Sequence, residues 1–333
     1  MLGRGAIMEL FAGSKARADF DQESWRSFLN LVPHLVATCT ACWGLLHLLL
    51  SRSVKAESFG ITKAKEKVCV HNNMISTTHA IFSFCAGVVY FAQGWGREAA
   101  SEVFCFSQFF HLVTAVSVGY ILYDFVFLAI YFEYMKNQLA TILAHHAIFI
   151  FTYFLSQVSS LNQGPPAPAP FRPSLLSRTL TRPAFPPCLS LYLSICPPGD
   201  PSQYVPCTLG MILYFWFSLT EVSTPFLNYN WFLMKANFSK ELWKKNGYVL
   251  LLTFGIRWII TVSSLPFLWW YYREHVQTGK IYDQVAPKFW WLVDGYLFFF
   301  ALGVGGLLFL NTYWYYVLLR KAYNAVASKP KKS

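Results

Sequence analysis

The sequence predicts an all-α fold, a polytopic transmembrane helical bundle of six or seven spans around a polar-lined cavity. Three observations carry this reading. Of the 333 residues 55% are hydrophobic and only 13% charged, about half the charged share of an ordinary soluble chain. The apolar residues come in long blocks rather than amphipathic stripes, and several blocks reach the ~20 residues that a helix needs to cross a bilayer. The basic residues fall mostly between the blocks, so the net charge of +11 reports orientation in a membrane. A soluble enzyme, a secreted disulfide scaffold and a nucleic-acid partner are excluded on these grounds.

Seven apolar segments follow one another: A, Leu31 to Leu50; B, Met74 to Ala92; C, Phe106 to Phe132; D, Leu139 to Gln157; E, Cys207 to Asn228; F, Tyr248 to Tyr272; and G, Phe289 to Leu319. A to D, F and G are each long enough to span. E is weaker, because Glu221, Pro225 and several hydroxyl residues interrupt it, and a re-entrant course is the alternative to a full span. Trp269, Trp270, Tyr271 and Tyr272 close F, and Trp290 and Trp291 open G. Such residues anchor helix ends at the membrane surface.

Residues 1–30 form an N-terminal tail, 31–157 and 207–320 the two parts of a membrane domain, and 321–333 a basic C-terminal tail. The first 28 residues mix charges throughout and offer only a short apolar run, Ala6 to Ala12, broken by Glu9. That composition is not a cleavable signal peptide. Residues 158–206 differ from both neighbours: twelve of the seventeen prolines lie between Pro165 and Pro206. No helix runs through that density of proline, and its backbone has no place in lipid. It reads as a disordered aqueous insert.

With seven spans, the A/B, C/D and E/F loops and the C-terminal tail share one side and carry 15 Lys and Arg, against 11 on the other. This bias predicts a cytosolic C-terminus. The tail ends Lys329-Pro330-Lys331-Lys332-Ser333, which resembles a dilysine retrieval signal of the endoplasmic reticulum. Asn237-Phe238-Ser239 fits a glycosylation acceptor, but its loop falls on the cytosolic side.

Eight cysteines are scattered without the paired C-x-x-C motifs of a metal site. Cys39 and Cys42 lie inside segment A, where small residues serve helix packing. Neither a metal nor a cofactor is implied.

Ionisable side chains inside spans are costly and mark a functional interior. Asn72, Ser76, His79 and Ser83 recur at helical spacing in and before B. Ser117, Tyr120 and Asp124 do so in C, and Thr253, Arg257, Thr261 and Ser264 in F. D holds His145 and His146, and E holds Ser218, Glu221 and Asn228. At ~1.5 Å per residue, Asp124 and His145 lie roughly 9 to 13 Å from the C/D loop, with His79, Glu221 and Arg257 at about 8, 11 and 14 Å from the same side. All five converge on one layer. A carboxylate beside an imidazole fixes its tautomer and raises its basicity, so Asp124, His145 and His146 are the candidate catalytic group. His79, Ser76, Glu221, Asn228 and Arg257 are the candidate lining of a lipid cavity. Adjacent residues on a helix point about 100° apart, so one histidine faces a ligand and the other supports it.

Several motifs, Ser76-Thr77-Thr78-His79, Gly119 through Asp124, the double histidine, and the run from Leu219 through Glu221 and Pro225 to Asn228 with Trp231, resemble the TLC-domain family of membrane proteins. The resemblance implies a helical bundle around a central cavity, commonly in the endoplasmic reticulum, with membrane lipids as partners. In the ceramide synthases of that family the double histidine belongs to an active site that moves an acyl group from acyl-CoA to a sphingoid base. This sequence departs from the family's His-Asp-x-x-Asp-x-x-Leu-Glu pattern, having Thr220, Glu221, Thr224, Leu227 and Asn228 at the corresponding places, so one acidic residue remains. Two functions are therefore expected: a protein of lipid homeostasis that binds or senses a lipid, or an acyltransferase using acyl-CoA.

Overall fold

The structure, a computed structural model, describes residues 22–93, 108–133, 142–143, 145–147, 208–283 and 290–327. Every regular element among them is helical. The helices are α1 (Gln22–Ser53), α2 (Ala64–Ala92), α3 (Gln108–Ile130), α4 (Thr208–Ser218), α5 (Thr224–Lys235), α6 (Lys240–Tyr271), α7 (Lys280–Asp283) and α8 (Trp290–Ala327). The predicted all-α bundle is what the chain forms.

Among the described residues five helical stretches are long and apolar enough to cross a membrane: Leu31–Ser53, Ala64–Ala92, Phe109–Ile130, Lys240–Val276 and Val293–Asn324. They correspond to segments A, B, C, F and G. Segment D falls outside the described residues except at 142–143 and 145–147, and the proline-rich insert lies wholly outside them. Several helices overrun the apolar limits of their segments. α1 starts nine residues before Leu31, α2 ten before Met74, and α8 runs to Ala327. Hydrogen-bonded helix continues into polar flanks at no cost where water or headgroups replace lipid, so hydropathy marks the slab rather than the helix.

Segment E is not one helix. α4 ends at Ser218, a 3₁₀ turn occupies Leu219–Ser223, and α5 begins at Thr224 with Pro225 in its first turn. Proline suits that place because its missing N–H is one the helix start leaves unpaired anyway. The hydroxyls here compete for the backbone as well: Ser218 Oγ donates to Tyr214 O at 2.9 Å and Thr220 Oγ1 to Phe217 O at 2.6 Å. Of the described residues, α4 takes 11 and α5 12.

α4 nevertheless lies at the centre of the bundle. Met211, Ile212 and Phe215 pack with Ala86 and Tyr90 of α2 and with Phe110 and Val113 of α3, all buried. Leu213 and Phe217 turn the other way, onto Tyr271 of α6 and Phe300 and Val304 of α8. α1 docks on α3 through the smallest available surface. A Cβ added to Gly119 would stand 2.6 Å from Cys39 Cβ and 2.9 Å from the Thr40 nitrogen. That approach seats Trp43 against Tyr120, Tyr123 and Phe127, with Trp43 Nε1 donating to Val116 O at 3.1 Å. The packing role expected of Cys39 is thus visible, while Cys42 is exposed.

The outer faces are apolar. Leu45, Val126, Ile130, Leu252, Ile259, Leu302 and Phe309 are all exposed, a surface that water would not favour and that lipid tails match. Trp269, Trp270, Tyr272, Trp290 and Trp291 are exposed where α6 ends and α8 begins, as expected of interfacial anchors.

Candidate functional site

The polar side chains inside the helices converge. Asp124 and His146 are 4% and 5% exposed, and His146 Nε2 lies 2.7 Å from Asp124 Oδ2. An ionised carboxylate offers only acceptors, so the imidazole donates through Nε2 and carries its lone pair on Nδ1. The other carboxylate oxygen, Asp124 Oδ1, accepts from Asn72 Nδ2 at 3.2 Å. That contact fixes the Asn72 amide, because the reverse orientation would set two acceptors face to face. Asn72 Oδ1 then accepts from the Tyr123 hydroxyl at 3.1 Å. Since the Tyr123 proton is committed, His47 Nδ1, 2.7 Å from the same oxygen, is the donor to it. Donation therefore runs from His47 through Tyr123 and Asn72 to Asp124, which accepts from His146 on its other oxygen.

His145, next along the chain, has its ring centroid 5.6 Å from that of His146 and 6.3 Å from Trp314 of α8. Its Nδ1 is buried and has no hydrogen-bond partner among the described residues. The two histidines thus divide as adjacent helical positions must: His146 is locked to Asp124, and His145 holds an unused nitrogen.

His79 closes the layer from α2. Its ring stacks on Tyr120 with centroids 4.0 Å apart and planes 12° from parallel, and Ser83 Oγ lies 3.2 Å from Nε2. Ser76, one helical turn away, is half-buried on the same helix. His145, His146 and Glu221 all act on His79 through space.

Glu221, in the 3₁₀ turn, accepts from Thr224 Oγ1 at 2.7 Å. Arg257 is buried but takes its hydrogen bonds elsewhere: Nε donates to Asn311 Oδ1 at 2.8 Å and Nη1 to Ser223 Oγ at 3.2 Å. Asn228 is set apart from the histidines. Its Nδ2 donates to Asn73 O at 3.1 Å and Thr77 Oγ1 at 3.0 Å, tying α5 to α2.

The five positions placed at one depth by counting act on one another through space: His79 with Glu221 and His145, His145 with Asp124 and Arg257, and Arg257 with Glu221. Sequence reasoning did not reach His47, Trp43, Tyr123, Ser223, Asn311 and Trp314. Asn311 and His47 carried a usable signal, since each is a polar residue within an apolar span. Tyr123 and Trp314 carried none in so aromatic a chain.

Fold and site together define an all-α protein of multi-pass membrane type with a histidine–aspartate pair at its interior. The chain matches no protein-family model, no curated protein and no solved structure.

Proposed function

We propose that this is a multi-pass membrane protein of the endoplasmic reticulum, of TLC-domain type, that binds or senses a lipid at the layer formed by His79, Asp124, His145, His146, Glu221 and Arg257, and so acts in lipid homeostasis. One observation carries the reading: a buried imidazole oriented by a carboxylate, beside a half-buried imidazole whose buried Nδ1 has no partner among the described residues. Polar groups are expensive at this depth, and an unsatisfied buried nitrogen costs about 1–3 kcal/mol. Its retention is accounted for when a ligand supplies the missing partner. The dilysine-like tail and the basic A/B loop support the endoplasmic reticulum and a cytosolic opening of the layer.

The same pair favours acyl transfer as the second reading. His146 Nδ1 would take the proton of a lipid hydroxyl or amine as that group attacks the acyl-CoA thioester. The carbon–sulfur bond breaks, and the departing thiolate recovers the proton from the imidazolium. Asp124 holds the ring and stabilises the cation that forms.

The test uses the purified full chain, unchanged and with His145→Ala and His146→Ala, incubated with labelled acyl-CoA and a panel of lipid acceptors. Lipid retention without turnover supports the first reading, and histidine-dependent product establishes the second. Acyltransfer is excluded if lipid is bound, no product forms and binding survives both substitutions; failure to retain any lipid sinks both.

A further inference from the structure

Arg257 is the buried charge of this layer that takes no part in the histidine–aspartate pair. It lies about midway along the span Lys240–Val276 and is 5% exposed. A cation at that depth is strongly unfavourable unless it is neutralised or its N–H groups are satisfied. Among the described residues no carboxylate comes within ion-pair distance of it. The ion pairs there are Asp124 with His146, and those of Lys63, Lys67, Lys235, Lys245 and Lys280 near helix ends. Glu221 acts on Arg257 only through space, and one of its oxygens is engaged by Thr224.

The guanidinium is held instead by neutral groups. Asn311 accepts from Nε and is itself oriented by donating from Nδ2 to Thr261 Oγ1 at 2.9 Å, while Thr261 donates to Arg257 O at 2.9 Å. Ser223, supplied by the break between α4 and α5, accepts from Nη1. The guanidinium carbon stands 5.5 Å from the Trp314 ring centre and 5.7 Å from that of Phe254. Among the described residues this clamp fixes the plane of the guanidinium and uses two of its five N–H groups. Trp314 also meets the His145 ring, so the buried Nδ1 of His145 lies in the same neighbourhood. A rigid, desolvated guanidinium with spare donors is the arrangement that recognises carboxylate and phosphate. Leu252, Ile256 and Ile259, on the outward side of the same helix, are exposed and apolar, so a ligand from that side arrives through lipid.

We propose that Arg257, aided by His145, is the docking point for the oxyanion headgroup of a lipid, a carboxylate or a phosphate monoester, whose apolar chain lies among the helices. This deepens the lipid-binding reading and rests on it. The buried guanidinium then acquires the countercharge that the described protein groups do not give, and the His145 Nδ1 a hydrogen-bond partner.

The full chain in detergent or nanodiscs is titrated with oleate, oleoyl lysophosphatidate and their neutral counterpart oleyl alcohol, with acetate and inorganic phosphate as headgroups without a chain. Oleate or the lysophosphatidate should bind at least ~10-fold tighter than oleyl alcohol, the discrimination one charged hydrogen bond supplies; whichever does so names the headgroup. Arg257→Gln should erase that preference, and Arg257→Lys should restore part of it. If acetate or phosphate alone binds as tightly as the lipids, the site serves a free anion and the proposal is wrong. Equal binding of the anionic and neutral lipids by the unchanged protein overturns the inference but leaves the lipid reading standing; binding of none overturns both. The comparison within the unchanged protein decides the matter even where Arg257→Gln does not fold.

Discussion

Gly119→Ala is the substitution whose effect the structure specifies most closely. The added methyl would stand 2.6 Å from Cys39 Cβ, against the 3.4 Å at which ordinary contact begins, and the Thr40 nitrogen at 2.9 Å closes the adjacent escape. Neither neighbour is the free end of a flexible side chain, so α1 must move off α3 by ~0.8 Å. Trp43 rides on α1, and its 3.1 Å hydrogen bond to Val116 O would lengthen to ~3.9 Å, beyond bonding distance. Overpacking of this kind costs about 1–3 kcal/mol. Alanine also raises helix propensity by up to ~1 kcal/mol over glycine, which partly offsets the clash. Gly44→Ala isolates that second effect, because Gly44 lies in α1 with nothing within 4 Å of the added carbon. Thermal unfolding in detergent should place Gly119→Ala below Gly44→Ala by about 2–10 °C, with Gly44→Ala at or above the unchanged protein. Equal midpoints for the two variants would refute the docking of α1 on α3.

Asn72→Leu removes the donor to Asp124 and the acceptor for Tyr123 together, and should lower stability by roughly 1–3 kcal/mol, read as a fall in melting temperature. Tyr123→Phe, whose neighbour His47 is half-exposed and open to rescue by water, should cost less in the same assay. The Lys67 ammonium, by hydrogen bonding to the exposed Glu57, holds that carboxyl below its ordinary 4.5. A depressed carboxyl stabilises the fold above the ordinary value, and the effect fades as pH falls through the lowered one. The melting difference between Glu57→Gln and the unchanged protein should therefore be present near neutrality and fade as pH falls through the lowered value. Asn237 should carry no glycan after expression in a secretory cell, with no mass change on endoglycosidase treatment; a glycan would place the loop between α5 and α6 in the lumen and invert the topology.

Five spans were legible because length and hydropathy determine a membrane helix almost alone, and A, B, C, F and G needed no knowledge of their neighbours. The same count placed His79, Asp124, His145, Glu221 and Arg257 at one depth, since rise per residue converts chain position into depth. Lateral adjacency is a different quantity. Nothing in the spacing of Arg257 says that its partner is Asn311, fifty-four residues on, rather than Glu221 in the preceding segment. That choice depends on how α6 and α8 rotate against each other, which packing around Trp314 and Thr261 decides. The contact of α1 with α3 was hidden likewise, because Gly119 and Cys39 are unremarkable until the helices meet.

The interruption in segment E connects the weakest sequence signal to the interior chemistry. Had α4 and α5 formed one helix, the hydroxyls of Thr220 and Ser223 and the Glu221 carboxylate would follow a single helical register. The 3₁₀ turn overwinds the chain through Leu219–Ser223, and with that winding Ser223 meets Arg257 while Glu221 is held by Thr224. From there α5 runs along α2, where Asn228 secures it through Asn73 and Thr77, and the Asn246 side chain of α6 closes on Phe226 O and Asn230. A sequence selected only to cross the membrane gains nothing from glutamate and proline at this depth. The turn instead brings polar groups to α6 at the level of Arg257, and the same residues that weakened the segment as a span place its donors and acceptors where the buried cation lies.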